Sequence, residues 1–344
     1  MLLYFLAALV FLIAFASSLA LVPMAGKLGI RLGFIDKPRP GELQKKPIAR
    51  TGGYAIFMAF MLALAVSLVI FPRFADEYSR LLGLILGALL ILPIAYLDDF
   101  KRMGPLPQMA GQIVVALVAM SFGLILDNFA SPFGGIVSFP LFVAIPVTLF
   151  WYVGMINTLN FIDTMDGLAA GVTTIAAAIL FIRAADLGQY SIAVLVLALA
   201  GACLGFLPYN LHPARIFMGT SGSMFLGYML ATLGIIGGAK VATTILVLGI
   251  PILDTALVIA RRLLAGRSPF KGGDSAHLPH RLLAVGIPQP LIVFLLYVFC
   301  LVLGYFALAL SAIQKLYAFG AMGLALGIAV TVIAYRSRAT AGEE

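Results

Sequence analysis

Apolar residues fall in long unbroken runs along this chain, and polar ones crowd into short stretches between them. Eleven runs are readable, at roughly 2–24, 52–71, 80–97, 107–125, 140–157, 168–184, 190–209, 222–237, 241–262, 288–310 and 316–335. A helix that crosses hydrocarbon needs about 20 apolar residues. Most runs reach that length; the fifth and eighth are short, so 10–11 spans are predicted. The runs are continuous and do not alternate, which excludes the strands of a membrane barrel. The predicted fold is all-α, a polytopic transmembrane helical bundle. No repeat and no shift in composition divides it, so residues 1–344 are read as a single integral-membrane domain. Composition agrees, with 62% hydrophobic residues and a mean hydropathy of +1.11, where soluble domains run at about 45–50% apolar.

Charge orients the bundle. No basic residue precedes the first run, and Lys27 and Arg31 follow it. A signal peptide carries its charge in front, so this run is read as an uncleaved span with its N-terminus outside. Alternation through the later spans leaves Arg73, Arg80, Arg183, Lys240 and Lys315 outside and the other seventeen of the 22 basic residues inside. Cytoplasmic loops carry such an excess, so the C-terminus is placed in the cytoplasm and the protein in the plasma (inner) membrane. Asp76, Glu77, Asp127 and Asp186 then fall outside without motif spacing and read as solvated ends. Cys203 and Cys300 lie within apolar runs and read as core residues, the usual place of free cysteine.

The same topology collects four polar motifs on the cytoplasmic side. Only 10% of residues are charged, and an ionisable group near hydrocarbon costs several kcal/mol. Against that background Asn157, Asn160, Asp163 and Asp166 recur every third residue, which puts them on one face if the segment is helical. Two asparagines alone could join helices by hydrogen bonds. With two aspartates beside them the set suits a hard cation with phosphate, and Gly167 and Gly171 permit close backbone approach there. Asp98 and Asp99 end the third run. Adjacent acids at a helix C-terminus oppose the helix dipole, so the pair is either a solvated end offset by Lys101 and Arg102 or a site for Mg²⁺ or proton transfer.

The other motifs are weaker alone. Phe217 to Ser223 reads as a capped helix start or an anion site on helix N–H groups. His277 and His280 sit in a basic inside loop with Arg281. Lys45 to Gly53 is a basic entry to the second run, matched equally to phosphate and to anionic headgroups. Asp254 lies inside the ninth run, a functional candidate or a residue paired within the bundle. His212, beside Pro213, reads as a solvated loop residue.

Taken together, Lys45–Gly53, Leu97-Asp98-Asp99, Asn157–Gly171, Ile216–Gly227, Pro251–Thr255 and His277–Leu282 resemble, in order and spacing, the polyprenyl-phosphate N-acetylhexosamine-1-phosphate transferases. The resemblance spans nearly the whole chain. It implies a Mg²⁺-dependent enzyme (Mn²⁺ as an alternative ion) that moves a sugar 1-phosphate, N-acetylglucosamine 1-phosphate favoured, from a UDP-sugar to polyprenyl phosphate. UMP is released at a cytoplasmic site. The implied partners are these substrates and membrane lipids, with a second copy of the chain as a homodimer; nucleic acid is not implied. By the same resemblance Asp98, Asp99 and Asp163 are catalytic, and Asn160, Thr220 and Asp99 hold the metal. Lys45, Arg50, Asn157, Asp166, Phe217, His277, His280 and Arg281 contact nucleotide, diphosphate or sugar.

The chain departs from the family pattern at three places. Thr220 stands where the family has a metal-binding aspartate, Pro279 removes one histidine from a His-x-His-His loop, and Thr164 replaces a glycine. Four other readings bear on function. A CDP-alcohol phosphotransferase would need an arginine after Asp166-Gly167, where Ala169 and Ala170 stand. A transporter would carry charges near the midplane, where only Asp254 is a candidate. A phospho-N-acetylmuramoyl-pentapeptide-type transferase and a catalytically impaired lipid- or nucleotide-binding relative stay as alternatives.

Overall fold

The structure is a computed structural model that describes residues 2–37, 47–71, 73–101, 103–131, 135–236, 241–266, 268 and 277–341. Its elements in chain order are α1 (Leu2–Leu32), β1 (Ile35–Asp36), β2 (Ile48–Ala49), α2 (Gly52–Ile70), α3 (Ala75–Lys101) and α4 (Pro105–Ser121). Next come β3 (Asn128–Ala130), β4 (Ile136–Ser138), α5 (Leu141–Ile162), α6 (Leu168–Asp186), α7 (Tyr190–Asn210) and α8 (Gly219–Ile235). The chain continues through α9 (Val241–Val247), α10 (Gly249–Leu264), α11 (Leu278–Ala284), α12 (Gln289–Ala309) and α13 (Ala312–Ala341).

Each apolar run is helical, ten of them in one helix each, because a backbone in hydrocarbon must satisfy its own hydrogen bonds. Among the described residues eight helices are long and apolar enough to cross a membrane. The ninth run is two helices, α9 and α10, bent by 77° at their junction. Gly249 and Pro251 lie at this bend; glycine is a poor helix former, and proline lacks the N–H that would continue the ladder. Two short antiparallel pairs, β1–β2 and β3–β4, are additions that the apolar pattern does not announce.

α8 is the centre of the bundle, buried along its whole length. Small residues let its neighbours approach, as is usual between membrane helices. A close backbone approach joins Gly53 of α2 to Gly222 of α8, where a Cβ on Gly53 would lie 2.1 Å from the Gly222 nitrogen. The α2 start is held to the same turn by Gly52 N–H to the Phe217 carbonyl (3.0 Å) and Gly53 N–H to that of Met218 (2.9 Å). Ala49 bridges to Ile216, so the strand that precedes α2 delivers Arg50 to the α8 N-terminus. The far ends of α2, α3 and α7 are tied separately. Arg73 donates to Ser67 Oγ (3.0 Å) and to the Ser191 carbonyl (3.2 Å), and Ser191 Oγ donates to Glu77 (2.7 Å). Glu77 is therefore a structural tie and not merely a solvated end.

Candidate active site

Six helix ends meet at one end of the bundle: the starts of α2, α6 and α8 and the finishes of α3, α5 and α7. α8 is not capped by the residue that precedes it; Met218 makes no side-chain cap bond, and Gly219 turns the chain with φ of +73°. The cap comes from α3. Asp99 accepts the Thr220 N–H on Oδ1 (3.1 Å) and the Ser221 N–H on Oδ2 (3.2 Å). A helix start presents unpaired N–H groups and partial positive charge, so it suits a carboxylate that is only 1% exposed. Arg50, 3.7 Å away, supplies the full charge. The acids that oppose the dipole of α3 are thus compensated by the dipole of α8 and by Arg50. Beside them Thr220 Oγ1 donates to Asp98 Oδ2 (2.9 Å).

α5 brings the second half. Ser223 Oγ donates to Asn160 Oδ1 (2.8 Å), which locks α5 to α8. Asp163 follows directly after α5. Desolvation pushes its pKa up to about 7; Arg50 opposes the rise, and the like charges of Asp99 and Asp166 add to it. Asp166 accepts from His212 Nδ1 (2.8 Å) and from the Ala214 N–H (3.0 Å), so it holds the connection that leads to Phe217. His212 is an exposed loop residue, as its place beside Pro213 suggests, and it is also tied to the site through Asp166. Asn210 holds the same connection from beneath: its Oδ1 accepts the Gly167 N–H and its amide donates to the Ile216 carbonyl, both at 3.0 Å. Sequence reading missed Asn210, whose only signal is an amide at the end of an apolar run.

The other candidates divide. Asn157 exchanges hydrogen bonds with Gln112 of α4, Nδ2 to Oε1 at 2.7 Å and the return at 3.4 Å; this is the interhelical tie that amides make between membrane helices. Phe217 is half-buried, and its N–H donates to the Ala49 carbonyl (2.8 Å). His277 precedes α11, and its Nδ1 lies 2.8 Å from Asp254 Oδ2. His280 is one turn on, its pKa lowered by desolvation and then by His277. Arg281 follows on the same helix and donates its N–H to the His277 carbonyl (3.1 Å). Lys45 and the residues from Lys271 to Ala276 lie outside the described residues.

A large open cavity joins some of these groups. Its polar lining includes Asp98, Asn157, Asn160, Thr164, Thr255, His277 and His280, and its apolar lining includes Met109, Ile113, Trp151, Ile252, Ile259 and Phe319. Among the described residues no three His, Cys, Asp or Glu side chains are arranged to hold a metal by themselves. Mg²⁺ does not need such a cage; it commonly takes one or two carboxylates, water and substrate phosphate. The donor set of Asp98, Asp99, Asn160, Asp163 and Thr220 consists of hard oxygens with excess negative charge, and it fits such an ion.

The sequence profile of glycosyl transferase family 4 matches residues 81–238. The probable undecaprenyl-phosphate N-acetylglucosaminyl 1-phosphate transferase of Bacillus subtilis (strain 168) is 33% identical over 309 residues, covering 88% of this chain and 84% of that protein. The decaprenyl-phosphate N-acetylglucosaminephosphotransferase of Mycolicibacterium smegmatis is 33% identical over 334 residues, 89% of this chain and 82% of its own. A phospho-N-acetylmuramoyl-pentapeptide-transferase of Staphylococcus carnosus is 31% identical over 288 residues, 77% and 88% of the two chains.

Proposed function

We infer the reaction from one premise: the chain belongs to glycosyl transferase family 4. It transfers a sugar 1-phosphate, N-acetylglucosamine 1-phosphate in the favoured reading, from a UDP-sugar to a polyprenyl phosphate and releases UMP. The observation that carries this is the gathering of Asp99, Asp163 and Arg50 behind Asp98 and Asn160, which themselves line a largely apolar cavity. A charged headgroup and a long hydrocarbon tail need those two environments side by side. Similarity to the N-acetylglucosamine-transferring relatives is higher than to the pentapeptide-transferring ones, which favours the simpler sugar.

Both reactants are anions, so catalysis here is chiefly positioning and charge neutralisation. An oxygen of the lipid phosphate attacks the β-phosphorus of the UDP-sugar. The bond from that phosphorus to the bridging oxygen breaks, and the oxygen leaves on UMP. Asp98, open to the cavity, takes a proton from the acceptor phosphate where one is carried. Asp99 sets the register of α8 and with it the orientation of Thr220 towards Asp98. Arg50, 32% exposed, turns from Asp99 to phosphate oxygens. Asn160 and Asp163, with Asp98, Asp99 and Thr220, would hold Mg²⁺ or Mn²⁺, which when bound supplies charge neutralisation on the diphosphate. Asp166 and His212 keep Phe217 against the nucleotide side, and Lys45 and Arg281 add positive charge. The basic-residue asymmetry supports an N-terminus outside and a cytoplasmic site, and the apolar runs support 10–11 spans in a single domain over residues 1–344.

A panel of UDP-sugars incubated with membranes, Mg²⁺ and undecaprenyl phosphate tests the reading through UMP release. UDP-N-acetylglucosamine should be used best. Asp99→Asn should lower turnover by orders of magnitude while the purified protein stays folded; near-wild-type turnover would refute the role of Asp99.

A further inference from the structure

Asp254 is an acid in the middle of α10 that the reaction above leaves unused, and it is buried, with 3% of its surface exposed. An acid so placed is costly unless both oxygens are engaged. Both are: Oδ2 lies 2.8 Å from His277 Nδ1, and Oδ1 accepts the Leu278 N–H at 2.8 Å. A carboxylate only accepts, so the proton of this contact sits on Nδ1 of His277. The other ring nitrogen, Nε2, is then the one left to meet a ligand. His277 lines the cavity that Asp98 and Asn160 also line. Its ring is held on a second side by Phe161, with centroids 5.7 Å apart. Next to Asp254, Thr255 lines the same cavity, and its buried Oγ1 has no hydrogen-bond partner among the described residues.

We propose that Asp254 is a positioning residue: it accepts the Nδ1–H of His277 and fixes the direction of the ring, so that in the imidazolium form Nε2–H donates to an anionic oxygen of the UDP-sugar diphosphate at the cavity wall. The inference rests on the transferase reading for the identity of that anion. A helix cap alone would need one acceptor oxygen for the Leu278 N–H, and an amide would serve as well as an acid. The second oxygen, on the imidazole, is what a cap does not require. A carboxylate behind a histidine also balances the charge of the ring when its far nitrogen binds phosphate, as carboxylates do behind functional histidines elsewhere.

The test uses the full-length protein in detergent or nanodiscs, with Asp254→Asn, Asp254→Ala, His277→Ala and the double variant Asp254→Ala with His277→Ala. Asp254→Ala and His277→Ala should each weaken UDP-N-acetylglucosamine binding, read by calorimetry, by about tenfold or more, the scale on which such supporting partners act. The double variant should be no worse than His277→Ala. Asp254→Asn, which keeps an acceptor for Leu278, should hold the thermal midpoint yet still lose affinity. In ¹⁵N-histidine spectra the wild type should show His277 protonated at Nδ1, and Asp254→Ala should redistribute that proton. Multiplying losses in the double variant, or full affinity in Asp254→Asn, would overturn the proposal. Should the wild type bind UDP-N-acetylglucosamine but release no UMP, the transferase reading fails while the binding and tautomer results still decide the role of Asp254.

Discussion

Residue 220 shows how one side chain sets the electrostatics of the site. Thr220 Oγ1 donates to Asp98, so the paired acids meet a neutral donor where the resemblance implies a third carboxylate. Thr220→Val removes that donor at nearly constant shape and leaves Asp98 short of a partner, a change worth about 1–3 kcal/mol. Turnover should fall about tenfold or more, and Thr220→Ser should restore most of it. Thr220→Asp adds a negative charge beside Asp98 and Asp99. Its thermal midpoint should fall in EDTA and recover with Mg²⁺ by more than that of the wild type; equal responses in the two proteins would contradict the charge argument. Asp163 gives the pH dependence. Its folded pKa is raised to about 7, so the folded state holds this proton more tightly than the unfolded chain. The associated stability is present below the carboxylate's ordinary range and is lost as pH rises through about 7. Without divalent ions the wild type should lose thermal stability from pH 6 to 8 relative to Asp163→Asn, and parallel curves would exclude a raised pKa. At this scale the sequence displayed the acids through their cost near hydrocarbon. It did not display Asn210, His212 or the Asp254–His277 contact, because each depends on residues far apart in the chain.

At the scale of elements, the apolar runs were legible because run length alone decides whether a helix can cross hydrocarbon. The bend between α9 and α10 was not legible, since the ninth run is apolar enough to read as one span. Nor was the way α8 is capped. A start such as Gly219-Thr220-Ser221 suggests a local cap, but the acceptor is Asp99 of α3, 121 residues away from Thr220. The crossing of α2 and α8 depends on Gly53, where an added Cβ would meet backbone and not a movable side chain. Gly53→Ala should therefore separate the two helix starts and lower the thermal midpoint by an amount corresponding to about 1–3 kcal/mol, the usual scale of overpacking. Turnover should fall with it, because Gly53 bonds to the turn that leads into Thr220. Asn210→Ala should cost a similar amount by freeing Gly167 and Ile216. An unchanged melting curve in either variant would show that these contacts do not hold the site.

For the whole molecule, the convergence of motifs on one end of the bundle followed from charge asymmetry before any coordinates, and the structure joins the described motifs there. Which end faces the cytoplasm rests on the distribution of lysine and arginine. Single cysteines test it against the buried background of Cys203 and Cys300. Arg215→Cys should react with a membrane-impermeant thiol reagent only in inside-out vesicles, and Asp127→Cys only in right-side-out ones; the reverse pattern would invert the topology. The central claim concerns the fate of one phosphorus atom, and following it is the most direct test. UDP-N-acetylglucosamine labelled at the β-phosphate, given to wild-type membranes with Mg²⁺ and undecaprenyl phosphate, should transfer its label to a lipid-extractable diphosphate, mole for mole with UMP released. Label that stays in water, on UDP or on free sugar phosphate, would contradict the account.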